Sequence, residues 1–176
     1  YDKFKEGIIE NAFNPEFSNG ALMDIGVYCV HPLVRLFGMP KKIIADSLLL
    51  SNGVEGAGTI LASYDGMQAE LLYSKITNNR LPSQIQGEDG TLVIDNITNI
   101  CSVVFHDRKG NAETVIDLPP EHSLEGEVKD WLRMIETGEG VREDNECSLM
   151  ELRVMDEARR QAGIVFPADL RKITGC

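Results

Sequence analysis

Asp24, Tyr28, His31 and Arg35 interrupt the otherwise apolar stretch "ALMDIGVYCVHPLVRLFG", residues 21–38. Their separations of four, three and four residues place all four on one face of an α-helix. A carboxylate and a phenol one turn apart can grip one substrate between them, and a phenol can exchange a proton with a hydroxyl. A free phenol ionises near pH ~10, and a nearby cation brings that value toward the working range. Gly26 lies between the pair, where a missing side chain lets a flat ligand approach closely. Such a set suits alcohol–carbonyl interconversion, in which a base takes a proton while a hydride leaves for a cofactor. The same residues also fit an ordinary helix. Asp24 stands in an early turn and Arg35 in a late one, where the macrodipole favours each sign, and Tyr28 suits an amphipathic core. Spacing alone does not choose between these readings.

The helix that must position these groups is expected over residues 21–37. Gly38 supplies a left-handed terminator, Pro40 follows it, and Pro32 bends the helix by removing the bond to the Tyr28 carbonyl. Before it, residues 1–19 read as loop with room for a short helical turn. After it come β-rich runs: "KKIIADSLLL", "GTILASYD", "MQAELLYSKI", "SQIQGEDGTLVIDN" and "CSVVFHDRKGNAETVIDL". Asp65-Gly66 and Lys109-Gly110 read as hairpin turns, and strands joined so tightly must be antiparallel. Two helices close the chain. The first, 123–137, carries Leu124, Val128, Trp131, Leu132 and Ile135 on one stripe and ends at Gly138. The second opens on a Ser148/Glu151 capping box and runs to Gly163. These elements give an α+β domain: an open, mostly antiparallel sheet of about five or six strands with helices packed on one face. Apolar residues in "DSLLL" and "VVF" reach both sheet faces, so a partner is expected on the open one.

Other chemistries find little support. A net charge of −11 argues against nucleic acid, and no apolar run approaches the ~20 residues of a membrane helix. No secretory signal opens the chain. Cys29, Cys101, Cys147 and Cys176 are far apart, which favours reduced thiols and a cytoplasmic setting over zinc or disulfides. His106 and His122 have no second ligand at metal spacing and read as surface residues. "GVEGAG", residues 53–58, reverses the Rossmann glycine order and opens no helix, so it reads as a flexible loop. The 176 residues suit one domain, and a start at Tyr1 suggests a piece of a longer protein.

Three stretches together resemble a known family. "SNGALMDIGVYCVHPLVRLFG" is similar to the helix opening the C-terminal domain of the Gfo/Idh/MocA oxidoreductases, with its Asp-x-Gly-x-Tyr signature. "IQGEDGTLVID" resembles that family's Ile-x-Gly-x-x-Gly-x-Leu-x-Ile strand pair, and "EVKDWLRMIETGE" with "ECSLMELRVMDEARRQAG" its closing helices. The resemblance covers nearly the whole chain. It implies a C-terminal domain like that of glyceraldehyde-3-phosphate dehydrogenase, spanning residues 1–176, which binds substrate and forms a homodimer or homotetramer through its open sheet. NAD or NADP would be bound mainly by an N-terminal Rossmann domain that this sequence does not contain, together with the lysine of a Glu-Lys-Pro motif. Tyr28 would exchange the proton and Asp24 would hold the substrate, a small sugar, polyol or dihydrodiol. Asn19, His31 and Arg35 would contact substrate or stand behind it, and Gly26 would admit the cofactor closely. The other reading is a catalytically silent metabolite-binding or dimerisation module.

Overall fold

The computed structural model describes residues 1–119 and 124–170. They divide into two units, Tyr1–Asn78 with the chain from Asp144 onward, and Asn79–Glu143. The expectations for His122 and Cys176 lie outside the described residues.

In the first unit a short helix α1 (Asp2–Lys5) and two 3-10 turns, Asn11–Phe13 and Pro15–Phe17, lead to the helix that carries the polar stripe. That helix is not α-helical throughout: Leu22–Gly26 forms a π-turn, and α2 proper runs over Val27–Phe37. Gly38 ends it at a φ of 71°, its amide bonded to the Val34 carbonyl. Three antiparallel strands follow in the order β1 (Lys42–Leu49), β2 (Glu55–Ser63), β3 (Gln68–Ser74), the last two joined by the tight turn at Asp65-Gly66. Pleating sends Ile43, Ile60, Ala62 and Tyr73 to one face, where Leu22, Val30, Leu33 and Val34 of the helix meet them. Cys147, Val154, Met155 and Ala158 of α4 (Val141–Ala162) complete the same core. A last short helix, α5 (Pro167–Leu170), follows. Strand β1 is an edge, and α4 closes part of it: the Gln161 amide accepts from the Ala45 amide and donates to the Ile43 carbonyl. Filling the edge's unpaired groups in this way removes a template for stray strand pairing.

Two readings of the sequence need correction here. The "GVEGAG" stretch is not a loop beyond Gly53 and Val54, because Glu55–Ser63 is strand β2. Its glycines serve packing: a side chain at Gly58 would collide with the Tyr73 hydroxyl, and one at Gly56 with Leu50 and Ile76. Helix α4 also starts seven residues before Ser148, directly after Gly140 at φ 83°, so Ser148 caps nothing. Glu143 and Asp144 sit in its first turn, where carboxylates are favoured.

The second unit is a four-stranded antiparallel meander, β4 (Ser83–Gln86), β5 (Gly90–Ile94), β6 (Ser102–Asp107) and β7 (Ala112–Asp117), followed by α3 (Leu124–Thr137). The run "SQIQGEDGTLVIDN" is thus two strands, and the described strands number seven in two separate sheets. On α3, Val128, Trp131, Leu132 and Ile135 form the expected stripe but stay 47–62% exposed. Periodicity marks a face able to be buried without naming what buries it.

This packing sets a stability contrast across the first sheet. Ile60 is fully buried, whereas Ile44 on the opposite face is 53% exposed. Ile60→Ala is expected to cost about 2–5 kcal/mol in urea unfolding, and Ile44→Ala no more than about 0.5 kcal/mol. Equal losses would contradict the assignment of the two faces.

Candidate functional site

The site forms where β2 begins and β3 ends, beneath the π-turn. The Lys75 amide donates to the Gly56 carbonyl at 2.8 Å, which ties the two strand ends together. Glu55, the first residue of β2, is completely buried, and among the described residues it is the sole buried charged or polar one. Its Oε1 accepts the Leu22 amide at 3.1 Å, at the first residue of the π-turn. A helix start leaves such amides without partners, and a carboxylate answers them in both hydrogen bonding and charge. Gly20 is buried against the same carboxyl, which occupies the space a side chain there would need. Within the turn the Val27 amide reaches back five residues to the Leu22 carbonyl. The extra residue changes the rotation along the helix, and wide turns of this kind recur at functional sites.

Asp24 projects from the middle of this turn. Its Oδ2 meets the Lys75 ammonium at 2.5 Å, while its side chain remains 48% exposed and that of Lys75 only 7%. The ion pair therefore has one buried end and one wet end. Among the described residues Lys75 makes no regular hydrogen bond in addition to the ion pair, and its ammonium lies 5.9 Å from the centre of the Phe13 ring. Phe13 packs at a tilt against the rings of Tyr1 and Phe4, and its carbonyl accepts the Asn52 side-chain amide at 2.7 Å. Burial pushes the Glu55 carboxyl above its ordinary value. Its own amide, the Leu22 amide, and the charges of Lys75 and Arg159 oppose that shift in part. Among the described residues its second oxygen, Oε2, has no hydrogen-bond partner.

The other stripe residues part company. Tyr28 is 47% exposed, and its hydroxyl makes no hydrogen bond among the described residues. His31 Nδ1 lies 2.7 Å from Glu151 Oε2, and Arg35 reaches Asp144 at 2.9 Å, so both stitch α2 to α4. Asn19 is partly buried and its side chain accepts the Gly20 amide at 2.8 Å. Gly26 is buried, and a Cβ there would press on Leu22 at 3.0 Å and on the Tyr73 ring at 3.3 Å. The room left by its missing side chain is therefore filled by Tyr73 of this chain rather than left open to a cofactor. Sequence reasoning passed over Lys75 and Glu55. A lone lysine closing the apolar run "AELLYSK", and a lone carboxylate between glycines at a strand start, were the available signals.

Among the described residues no three His, Cys, Asp or Glu side chains gather to hold a metal. No described helix is long and apolar enough to cross a membrane. His106 is exposed, on the rim of a shallow open depression of the second unit shared with Glu88, Thr91 and Arg108, and none of the site residues lines it.

Residues 5–93 match the family described as GFO/IDH/MocA C-terminal domain. The chain is 46% identical over 171 residues to scyllo-inositol 2-dehydrogenase (NADP(+)) IolU of Bacillus subtilis, covering 96% of this chain and 52% of that protein. It is 33% identical over 173 residues to the uncharacterized oxidoreductase YgjR of Escherichia coli, covering 98% and 53% respectively. The chain thus spans about half the length of the curated relatives it matches. In fold it resembles biliverdin reductase from Synechocystis sp. PCC 6803, solved with biliverdin and NADP+, at a TM-score of 0.67 and 16% identity over 88% of this chain and 50% of that one.

The buried carboxyl has a consequence for stability. Below the ordinary glutamate value of 4.5, Glu55 carries its proton in folded and unfolded chains alike. As pH rises past that value the unfolded chain releases the proton first, so the folded state loses stability until Glu55 ionises there too. Melting temperatures of wild type and Glu55→Gln from about pH 4 to about pH 8 should diverge in favour of the variant as pH rises. Parallel curves would contradict the shifted carboxyl.

Proposed function

The chain belongs to the GFO/IDH/MocA family, and from that premise we propose that it is the substrate-binding part of an NAD(P)-dependent oxidoreductase acting on the CH–OH group of a sugar, polyol or dihydrodiol. The observation that carries this reading is the half-exposed Asp24 carboxylate, anchored from behind by buried Lys75, one helical step before an exposed Tyr28. The 46% identity to an enzyme named as a scyllo-inositol dehydrogenase supports the polyol class.

Asp24 accepts hydrogen bonds from substrate hydroxyls and fixes the sugar or polyol face. Tyr28 Oη handles the proton: its phenol donates to the oxygen of a carbonyl being reduced, and its phenolate takes the proton from an alcohol being oxidised. A nicotinamide cofactor, when bound, supplies or accepts the hydride. The described residues do not fit that cofactor's pyrophosphate, because the glycine run leads into β2 and opens no helix. Its binding belongs to a separate dinucleotide domain. Asn19 lies next to the turn that carries Asp24 and borders the substrate space. His31 and Arg35, engaged by α4, support the helix from behind.

The outward face of the first sheet supports self-association, with Ile44, Leu48 and Leu72 each more than half exposed. A second copy covering these side chains would give the homodimer or homotetramer.

In an enzyme joining this chain to its dinucleotide domain, Tyr28→Phe should lower kcat by about 100-fold or more on a polyol substrate, with KM little changed. Asp24→Asn should act mainly on KM. An unchanged kcat in Tyr28→Phe would refute the proton role.

A further inference from the structure

Lys75 belongs to neither the helix stripe nor any motif of the sequence, yet its ammonium is the best-sequestered cation at the site. Three features place it there. Its backbone is fixed at the end of β3 by the bond to Gly56. Its stem runs through the interior, leaving the side chain 7% exposed, and Phe13 lies against the charge at 5.9 Å. Its charge is felt at Glu55, the carboxyl that holds the first amide of the π-turn. The ammonium therefore stands behind a turn built to bring Asp24 to it.

Resting on the dehydrogenase reading above, we propose that Lys75 is a positioning residue for catalysis: by gripping Asp24 Oδ2 from the buried side, it directs the carboxylate's exposed side to the substrate hydroxyls. A carboxylate on a surface helix samples several rotamers, and each must be given up when substrate binds. An ion pair with a fixed, desolvated partner removes that freedom beforehand. The arrangement also orders the charges. Lys75 offsets Asp24 directly, and Glu55, which holds the first amide of the turn, shares the ammonium's field. The charged or titratable groups acting on Glu55 from the surrounding elements are Lys75 of the β3 end and Arg159 of α4, while Tyr73 of β3 in turn feels the Glu55 charge. Lys75 does not touch substrate in this account. Its side chain is only 7% exposed, and it acts through Asp24 alone.

The test is a double-mutant cycle in the enzyme that joins this chain to its dinucleotide domain, with scyllo-inositol and a panel of polyols and aldoses as substrates and both NAD and NADP supplied. Lys75→Met should lower kcat/KM by about 100-fold, the scale expected when a reacting group is misplaced by about an ångström. In the Asp24→Asn background the same substitution should cost less than about threefold, because the group it orients is already impaired. Lys75→Arg should restore part of the loss, and cofactor affinity read by nucleotide fluorescence should not change. Lys75→Gln, which keeps a donor but no charge, carries the same cycle if Lys75→Met does not fold. Equal losses in the two backgrounds would make Lys75 a structural residue and overturn the proposal while leaving the dehydrogenase reading intact. A wild-type enzyme that oxidises none of the panel with either nucleotide would overturn both.

Discussion

One buried carboxyl organises this site. Glu55 sits with no exposure to water, and the other large side chains buried as fully, Leu22, Ile60, Val30 and Met155 among them, are apolar. Burying a charge-bearing group in such surroundings is costly unless it is paired. It is answered on one oxygen by the Leu22 amide, and more distantly by the fields of Lys75 and Arg159. That bond decides where the chain turns from its irregular N-terminal segment into the helix, because the acceptor lies on β2 and cannot follow the helix if it shifts. Gly20 lets the backbone come close enough, since any side chain there would occupy the carboxyl's own place.

From this anchor the rest of the site follows in order. The turn that starts at Leu22 is a π-turn, and it presents Asp24 toward the end of β3, where Lys75 waits. Beyond the turn, α2 is held on two sides. Val30, Leu33 and Val34 pack in the core shared with the sheet and α4, while His31 and Arg35 pair with Glu151 and Asp144. Gly26 lets Tyr73 close against the junction, and the Tyr73 hydroxyl reaches Ser47 at 3.3 Å. A helix fixed at this many points offers Tyr28 from a rigid element, which positions a reacting group better than a loop does.

The helix, its Gly38 terminator, the two hairpin turns and the antiparallel order were legible because each depends on local chemistry: apolar period, positive φ at glycine, short connections. Assignment to the family was legible for a similar reason, since its motifs are short and ordered along the chain. The π-turn was not, because the sequence "LMDIG" fits an α-helix equally well and the carboxyl that holds its first amide, Glu55, lies 33 residues away. Placing Asp24, Tyr28, His31 and Arg35 on a single face followed from that same assumption of regular helix. Their partners instead lie on β3 for Asp24 and on α4 for His31 and Arg35. Lys75 and Glu55 carry their meaning only through burial, which a single residue in a strand does not announce. Helix α4 ran longer than read because Gly140 starts it, while Ser148 looked like a cap from pattern alone.

The central claim is that Glu55 holds the Leu22 amide and thereby the turn bearing Asp24. Amide hydrogen exchange of Leu22 tests it most directly. The account predicts that Leu22 exchanges as slowly as the core amides of β2 in the wild type and becomes fast in Glu55→Ala while the β2 amides stay protected. A Leu22 amide that exchanges at the rate of the exposed N-terminal segment in the wild type would contradict it.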